Sequence, residues 1–513
     1  MKKTLAFGLL ITIFTGVMAQ PLTIENVRRS SLRSSDAIRQ GKEVKGYYFF
    51  YISDKVDRKT NEYTLRICDN TLNLLKEVVF AESRNVEVLE SSFNGQDLIF
   101  MLLNRSEKTI TYHIYGADGT KKTFNYDAEL SRRDLAYLNQ MYNLEDGESK
   151  FKGLYPIEGR GFISNVPDRE DKDFTFTLSF FDSQRKRSWS YTPTEGAKRS
   201  ISDYLGTVGD VIYLQVLKYG SSFDQRPDAT ILGLNLNTGK VVFERNTDAK
   251  FRFYASSLTE IGNKTILNGE YFEPDANIMK AKSLGLGFWE LDAKGKLLKE
   301  TYSSWEGDLG KFFAVNSKSK VEDFGYLMIH NIFESADGNI YAVGEGFRKE
   351  ASALGIASTL LSRGGGNMST VKLKVTNMML LKFDKNFKML DAKMYEKNHN
   401  SVLLPSGAEF ASTMLLGKMA KFYYGEFDYA YTQTNDDKSS ASIVYADYVR
   451  SKEYKGVTYN SISINDGKVT TDKVNINRPS TYTWVLPAKT GQILVLDYDR
   501  KAKKMTGHFE KLN

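Results

Sequence analysis

Three glutamates follow a glycine in three successive stretches of the chain: Gly269-Glu270-Tyr271-Phe272, Gly344-Glu345-Gly346-Phe347 and Gly425-Glu426-Phe427. If the chain is built of repeats, such residues take equivalent places in each unit and form an arc of carboxylates. An arc that faced a common opening could bind a cation, a sugar or a basic peptide, or supply an acid and a base. An arc turned between repeats would instead accept backbone N–H groups or a basic side chain from the next unit, because an unpaired buried charge is costly. Glycine near a strand end lets a neighbouring backbone approach closely. The sequence therefore predicts that Glu270, Glu345 and Glu426 are buried and hydrogen-bonded across repeat boundaries. One other residue is a ligand candidate. Trp305, in Trp305-Glu306-Gly307-Asp308, is expected in a loop, either as a ring that stacks on a sugar or as an ordinary aromatic of the rim.

Other chemistries find little support. His113, His330, His399 and His508 are scattered without ligand spacing, and no cysteine pair complements them. The sole cysteine, Cys68, allows no intramolecular disulfide and reads as a small buried strand residue. The acidic run at 168–173 is interrupted by Arg169 and Lys172 and lacks the glycine and final glutamate of a calcium loop, so it reads as a solvated loop. No Gly-x-Ser-x-Gly elbow is present. The glycines of Arg363-Gly-Gly-Gly-Asn367 lack the lysine spacing of a phosphate loop. No metal, no cofactor and no catalytic residue is assigned.

The elements that must position the glutamates are strands. Asp337-Gly338 is a turn dipeptide that runs into the β-formers Ile340, Tyr341 and Val343. Strand pairs surround turns at Phe181-Asp182, Leu236-Asn237 and Leu291-Asp292, which fall at equal steps. That step lies near the ~40–50 residues of propeller blades. A glycine introduces an earlier strand at Gly209, Gly262 and Gly338, and the strand before it brings each unit to four. The stretch from Leu286 to Leu291 is apolar on both faces, as in sheets stacked radially and covered on both sides. The expected fold is all-β: a β-propeller of seven or eight four-stranded blades in a single domain at 20–513. The last unit is one strand short, and a strand at 22–27 would complete it and close the ring. Irregular chain is expected from there to residue 45. Helical spacing predicts two insertions, at 131–144, with Ser131 as N-cap, and at 349–363.

Asp337-Gly-Asn-Ile-Tyr-Ala-Val-Gly-Glu345 and Leu380-Leu-Lys-Phe-Asp384 resemble the blades of secreted β-propellers of Gram-negative bacteria, many of them uncharacterised. Leu234-Asn-Leu-Asn-Thr-Gly239-Lys-Val-Val-Phe243 also looks like a quinoprotein-type repeat, with Phe243 in place of the usual tryptophan. The motif does not recur regularly, and no quinone cofactor is inferred.

The N-terminus reads as a secretory signal: Lys2 and Lys3, an apolar run at 5–17, and a cleavage site at Val17-Met18-Ala19. It predicts export to the periplasm or medium and a mature chain beginning at Gln20. The net charge of +7 is dispersed in short clusters, which argues against nucleic acid. No later stretch is long and apolar enough for a membrane span. The expected protein is a monomeric, non-enzymatic binding or scaffold propeller for a protein or glycan. The alternative is a carbohydrate-active enzyme, a glycoside hydrolase or lyase, with its carboxylates on one propeller face.

Overall fold

The computed structural model describes residues 21–512 except 123–126, 143–149, 169–173, 185–187, 194–198, 221–225, 353–367, 406–407, 451–453 and 477–481. The expected signal segment, most of the acidic loop at 168–173 and most of the second helical insertion lie outside the described residues.

Eight antiparallel sheets follow one another along the chain. Blades 1 to 7 occupy 29–83, 86–129, 154–191, 200–246, 252–304, 326–405 and 429–475. Blade 8 takes three strands from 482–511 and its fourth, Leu22–Ile24, from the N-terminus. That strand pairs antiparallel with the last one, Leu22 opposite Gly507 and Ile24 opposite Met505. Ring closure by the N-terminal strand is thus observed, and the blade number is eight. Blades 2 and 6 each carry a fifth strand.

The middle strands bury both faces, as the apolar run at 286–291 implied. Val211–Lys218, Gly285–Leu291 and Gln492–Asp499 are buried almost throughout. Hydrophobic clusters accordingly lie between blades. One joins Phe288 of blade 5 to Phe383 and Phe387 of blade 6, and another joins Phe50 of blade 1 to Phe100 of blade 2. The outer edges meet through aromatic rings set on turn glycines. A Cβ on Gly239 would lie 2.6 Å from the Trp189 ring, and one on Gly295 would lie 2.3 Å from Phe243. Both glycines have positive φ, 69° and 76°, so the positions are closed to other residues by sterics twice over. Phe243 therefore has the same docking role as Trp189, one blade further on.

Four expectations are corrected. The chain before residue 45 is not irregular, because Arg29–Gln40 is the innermost strand of blade 1. The turns do not fall at equal steps. The side chains that cap them are Asp182, Asn235 and Asp292, each accepting the N–H two residues on, so Asn235 and not Asn237 is the equivalent residue. Lys349 and Glu350 extend the second strand of blade 6, Ile340–Ala351, so the expected helix does not begin there. Helix is also not limited to the two insertions. Helix α1, Arg132–Tyr142, forms as expected, with Ser131 Oγ accepting from Asp134 N and Asp134 Oδ2 from Ser131 N in a reciprocal cap. Helix α2, Thr413–Lys418, continues as a π-helical turn at Met419–Tyr424, outside both expected insertions.

Candidate functional site

The innermost strands of several blades share a bulge. The register slips around Leu89, Leu205, Ser256, His330 and Ala430, where the first strand carries one residue more than its partner. Counting from the bulge aligns the second strands. Gln215, opposite Asp203, Glu270, opposite Tyr254, and Glu345, opposite Met328, occupy one position in blades 4, 5 and 6. Glu270 and Glu345 are therefore equivalent, as the Gly-Glu pattern implied. Glu426 is not. Gly425, with φ of 64°, ends the π turn, and Glu426 N donates to Ala420 O at 3.0 Å. Glu426 lies at a helix end on the link into blade 7, not on a blade strand.

Glu345 fulfils the expected role. It has no exposed surface, and its two oxygens accept from Asp428 N at 3.1 Å and Tyr429 N at 2.9 Å, at the entrance to blade 7. The fully buried Lys397 ammonium stands 3.3 Å away and also pairs with Asp428. His330 Nε2 lies 3.0 Å from Glu345 Oε2 but out of hydrogen-bond alignment, so both ring nitrogens stay without a hydrogen-bond partner. The ring lies flat on Tyr429. Burial pushes the Glu345 carboxyl up, but His330, Lys397 and the backbone donors outweigh it and hold it down at about 2. Burial dominates for His330, which falls to about 4. Near neutral pH the imidazole is uncharged, so we assign the ionised Glu345 to Lys397 and the two N–H groups. Asp428 is pushed up to about 6, chiefly by burial.

The same device recurs where no Gly-Glu marked it. Gln215 Oε1 accepts from Ala255 N of blade 5 at 2.9 Å, and Gln215 Nε2 donates to Thr230 O. Glu90 of blade 2 accepts from Gly153 N, at the entrance to blade 3, and from Tyr142 OH of α1. A buried side-chain oxygen thus ties blade 2 to 3, 4 to 5 and 6 to 7.

Glu270 differs. It makes no bond to blade 6 and borders a cavity of about 120 Å3 on the propeller axis. It is half-buried: enclosed by protein, yet with surface open to this chamber. Burial pushes its carboxyl up to about 7, against Ser283 and Lys418, which pull it down. Helix α2 roofs the chamber. Ser412 caps the helix by accepting from Leu415 N, and its own N–H donates to Met279 O of blade 5. A Cβ on Gly417 would meet Met328 Sδ at 3.1 Å and the Phe347 ring at 3.2 Å, so the glycine lets the helix sit close on blade 6. Lys418 reaches the first strands of two blades, pairing with Asp203 of blade 4 and with Tyr254 OH of blade 5. Asp203 is pushed up by burial, but Lys418 outweighs this and keeps it below its ordinary value. Lys421, one turn on, has no carboxylate within ion-pair distance among the described residues. Burial, then Lys150 and Lys418, lower it to about 8.

Trp305 is placed away from any open surface. It is 5% exposed, packs in the core between blades 5 and 6, and donates its indole N–H to Ser283 Oγ, so no ring face is available for a sugar. The sequence missed Gln215, Glu90, Lys397, Lys418 and Lys421, and gave His330 no role. No group of three or more His, Cys, Asp or Glu among the described residues is arranged to hold a metal. No helix among them is long and apolar enough to cross a membrane.

Over residues 1–513 the chain belongs to a family of unknown function, DUF6770. No curated protein matches it in sequence. Among solved structures it is similar to a prolyl endopeptidase, at 8% identity and a TM-score of 0.41 over 93% of this chain and 54% of that one. The chain thus spans about half the length of that enzyme. It is also similar to a quinohemoprotein alcohol dehydrogenase from Pseudomonas putida, at 10% and 0.41 over 93% and 76%. The β-propeller domain of the Trilobed protease from Pyrococcus furiosus, described as having an open velcro topology, matches at 12% and 0.34 over 72% and 95%. These likenesses concern the fold alone and bring no activity with them.

Proposed function

We propose that this protein is an exported, non-enzymatic binding or scaffold propeller, a single domain whose N-terminal segment is removed before Gln20. One observation carries the functional part. The Gly-Glu carboxylates do not converge on one opening: Glu345 is held between blades, Glu426 sits at a helix end, and Glu270 alone borders the chamber. Glycoside cleavage by the common route needs two carboxyl groups facing one bond across roughly 5–10 Å. The other carboxylate at the chamber, Asp203, is engaged by Lys418 and Tyr254, which suits holding the roof more than taking or giving a proton. The alternative, a carbohydrate-active enzyme, draws its support from Glu270, a carboxyl poised near neutrality in a pocket.

The two readings separate in one experiment. The purified protein is incubated with chromogenic glycosides and with uronate-containing polysaccharides, alongside Glu270→Gln. No turnover above the blank is expected from either protein. Turnover by the native protein that the variant lacks would overturn the binding reading. Export is checked separately by N-terminal sequencing of the protein recovered outside the cytoplasm; a chain still starting at Met1 there would refute the processing.

A further inference from the structure

The chamber under α2 carries two charges of opposite sign that the protein leaves unpaired, one toward each end of its roof. The anion is Glu270. It keeps surface open to the 120 Å3 chamber and also borders a smaller cavity of about 20 Å3. Among the described residues no cation lies within ion-pair distance of its carboxyl, and Ser283 is its hydrogen-bonding neighbour. The smaller cavity has room for about one water-sized group, and no cationic side chain of the described residues lines it. Ser319 and Thr413 border it with hydroxyls that have no hydrogen-bond partner among the described residues.

The cation is Lys421. It is half-buried and lines the chamber, its ammonium 5.4 Å from the ring of Phe422, another wall residue. The roof helix sets the spacing of the two charges. Thr413, the first residue of α2, borders the smaller cavity together with Glu270, and Lys421 lies eight residues further along the same helical stretch. At ~1.5 Å of rise per residue, that is about 12 Å along the axis. Between the ends, Lys418 and Asp203 neutralise each other, and Leu286, Leu327 and Ile332 make the wall apolar. Burial moves both end groups toward their neutral forms, Glu270 up to about 7 and Lys421 down to about 8, as expected of charges enclosed without a partner.

Each feature specifies part of a ligand. An open carboxylate beside unpartnered hydroxyl oxygens calls for an ammonium, which has three N–H groups to give. An ammonium without a counter-ion calls for a carboxylate. A ligand with a single charge would satisfy one end and be repelled by the other, whereas a zwitterion satisfies both. Charge-assisted contacts take about 2.8 Å at each end, which leaves roughly 6 Å between the ligand's two charges. A chain of four or five carbons spans that gap, and the aliphatic wall suits its methylene groups. The volume is that of a small molecule, since benzene occupies a comparable ~150 Å3 cavity. We propose that the axial chamber binds a short ω-amino acid, its ammonium on Glu270 and its carboxylate on Lys421. This rests on the binding reading above and names the ligand class for it.

The test uses the full-length mature protein and four probes: 5-aminopentanoate, pentanoate, pentylammonium and glycine, each titrated by calorimetry and by shift of the melting temperature. Saturable binding of 5-aminopentanoate is expected. Pentanoate and pentylammonium, each lacking one charge, should bind at least ~10-fold more weakly, the scale of one lost charge-assisted hydrogen bond. Glycine, with its two charges too close together, should have no effect. The variants then separate the ends. Glu270→Gln should erase the preference for 5-aminopentanoate over pentanoate, and Lys421→Met should erase its preference over pentylammonium. A purely structural role for either residue would leave these preferences in place. Circular dichroism confirms that each variant is folded, and if either is not, Glu270→Ala and Lys421→Gln replace them. Glycine binding as well as 5-aminopentanoate, a singly charged probe binding as tightly, or preferences that survive both variants would overturn the site. So would no binding of 5-aminopentanoate. These outcomes are distinct from failure of the binding reading itself, which only turnover can bring about.

Discussion

Glu270 and Glu345 stand at the same place on the second strand of adjacent blades, each preceded by glycine, and they meet opposite surroundings. Beyond Glu345, the turn before the fifth strand of blade 6 brings Lys397 to the carboxylate, and the entrance to blade 7 brings the N–H groups of Asp428 and Tyr429. Beyond Glu270, the chain between blades 5 and 6 supplies no such donor, and Trp305 and Ser283 close the gap between the blades instead. The first carboxyl is driven down to about 2 and the second up to about 7. The local motif thus sets the direction in which a side chain points. What it becomes is decided by chain arriving from elsewhere: a clamp in one blade and a chamber wall in the next. Gln215 makes the same point from the other side, since it clamps blade 5 with no charge at all.

The largest effect is expected where the clamp's buried Lys397 is removed. Lys397→Met leaves Glu345 and Asp428 facing each other without their ammonium. Breaking a buried ion pair by deleting one partner costs ~3–5 kcal/mol. Urea denaturation of the variant should show a loss of this size. A loss below ~1 kcal/mol would mean that the backbone donors alone hold Glu345, and the contrast between the two blades would rest on hydrogen bonds and not on charge.

Glu345→Gln is the gentler break, because Gln keeps one acceptor and Lys397 keeps Asp428. A loss of ~1–3 kcal/mol is expected, the range for damaging a charge-assisted buried hydrogen bond. Its pH dependence fixes the sign. The folded value of Glu345 lies below the ordinary glutamate value, so its ionised form stabilises the fold above about pH 4.5 and this contribution fades as pH falls toward 2. The gap between native and variant protein should therefore be wide at pH 7 and narrow steadily below pH 4. A gap independent of pH would show that the cost is one of shape.

Much of this architecture is legible from the sequence because it is local. Two-sided apolar strands, the turn residues Asp182, Asp292 and Asp337-Gly338, and the reciprocal cap of Ser131 and Asp134 each act within a few residues of themselves. What escapes is what the axis imposes. Arg29–Gln40 is too polar to read as a strand, but an innermost strand turns one side to the channel and can afford Arg, Ser and Asp. The π-helical turn after α2 carries Phe422, Tyr423 and Tyr424, β-formers by preference, and the helical stretch holds because Met414 and Leu416 of α2 and Ala420 of the turn are buried. The candidate site was half visible for the same reason. The pattern located Glu270 and Glu345, while Lys397, His330, Lys418 and Lys421 join them only through contacts distant in sequence, and Glu426 matched the pattern by accident of a helix-ending glycine.

Glu270→Gln should have the smallest effect on stability, and the sign of that effect depends on pH. The folded value of about 7 lies above the ordinary glutamate value. A carboxyl raised in this way stabilises the fold most when protonated, below about pH 4.5, and loses that contribution as pH rises through 7. Above pH 7 the native protein must hold an ionised carboxylate in an enclosed chamber with only Ser283 and a shared Lys418 to receive it. The neutral Gln carries no such burden. At pH 5 native and variant should melt within ~0.5 kcal/mol of each other, as expected of a substitution that opens no cavity and breaks no buried pair. At pH 8.5 the variant should be the more stable, by no more than ~1 kcal/mol, because the chamber's open surface screens much of the charge. Thermal denaturation of both proteins across this range decides the matter. A variant less stable at every pH, as for Glu345→Gln, would show that Glu270 is a clamp after all and that the two blades do not differ.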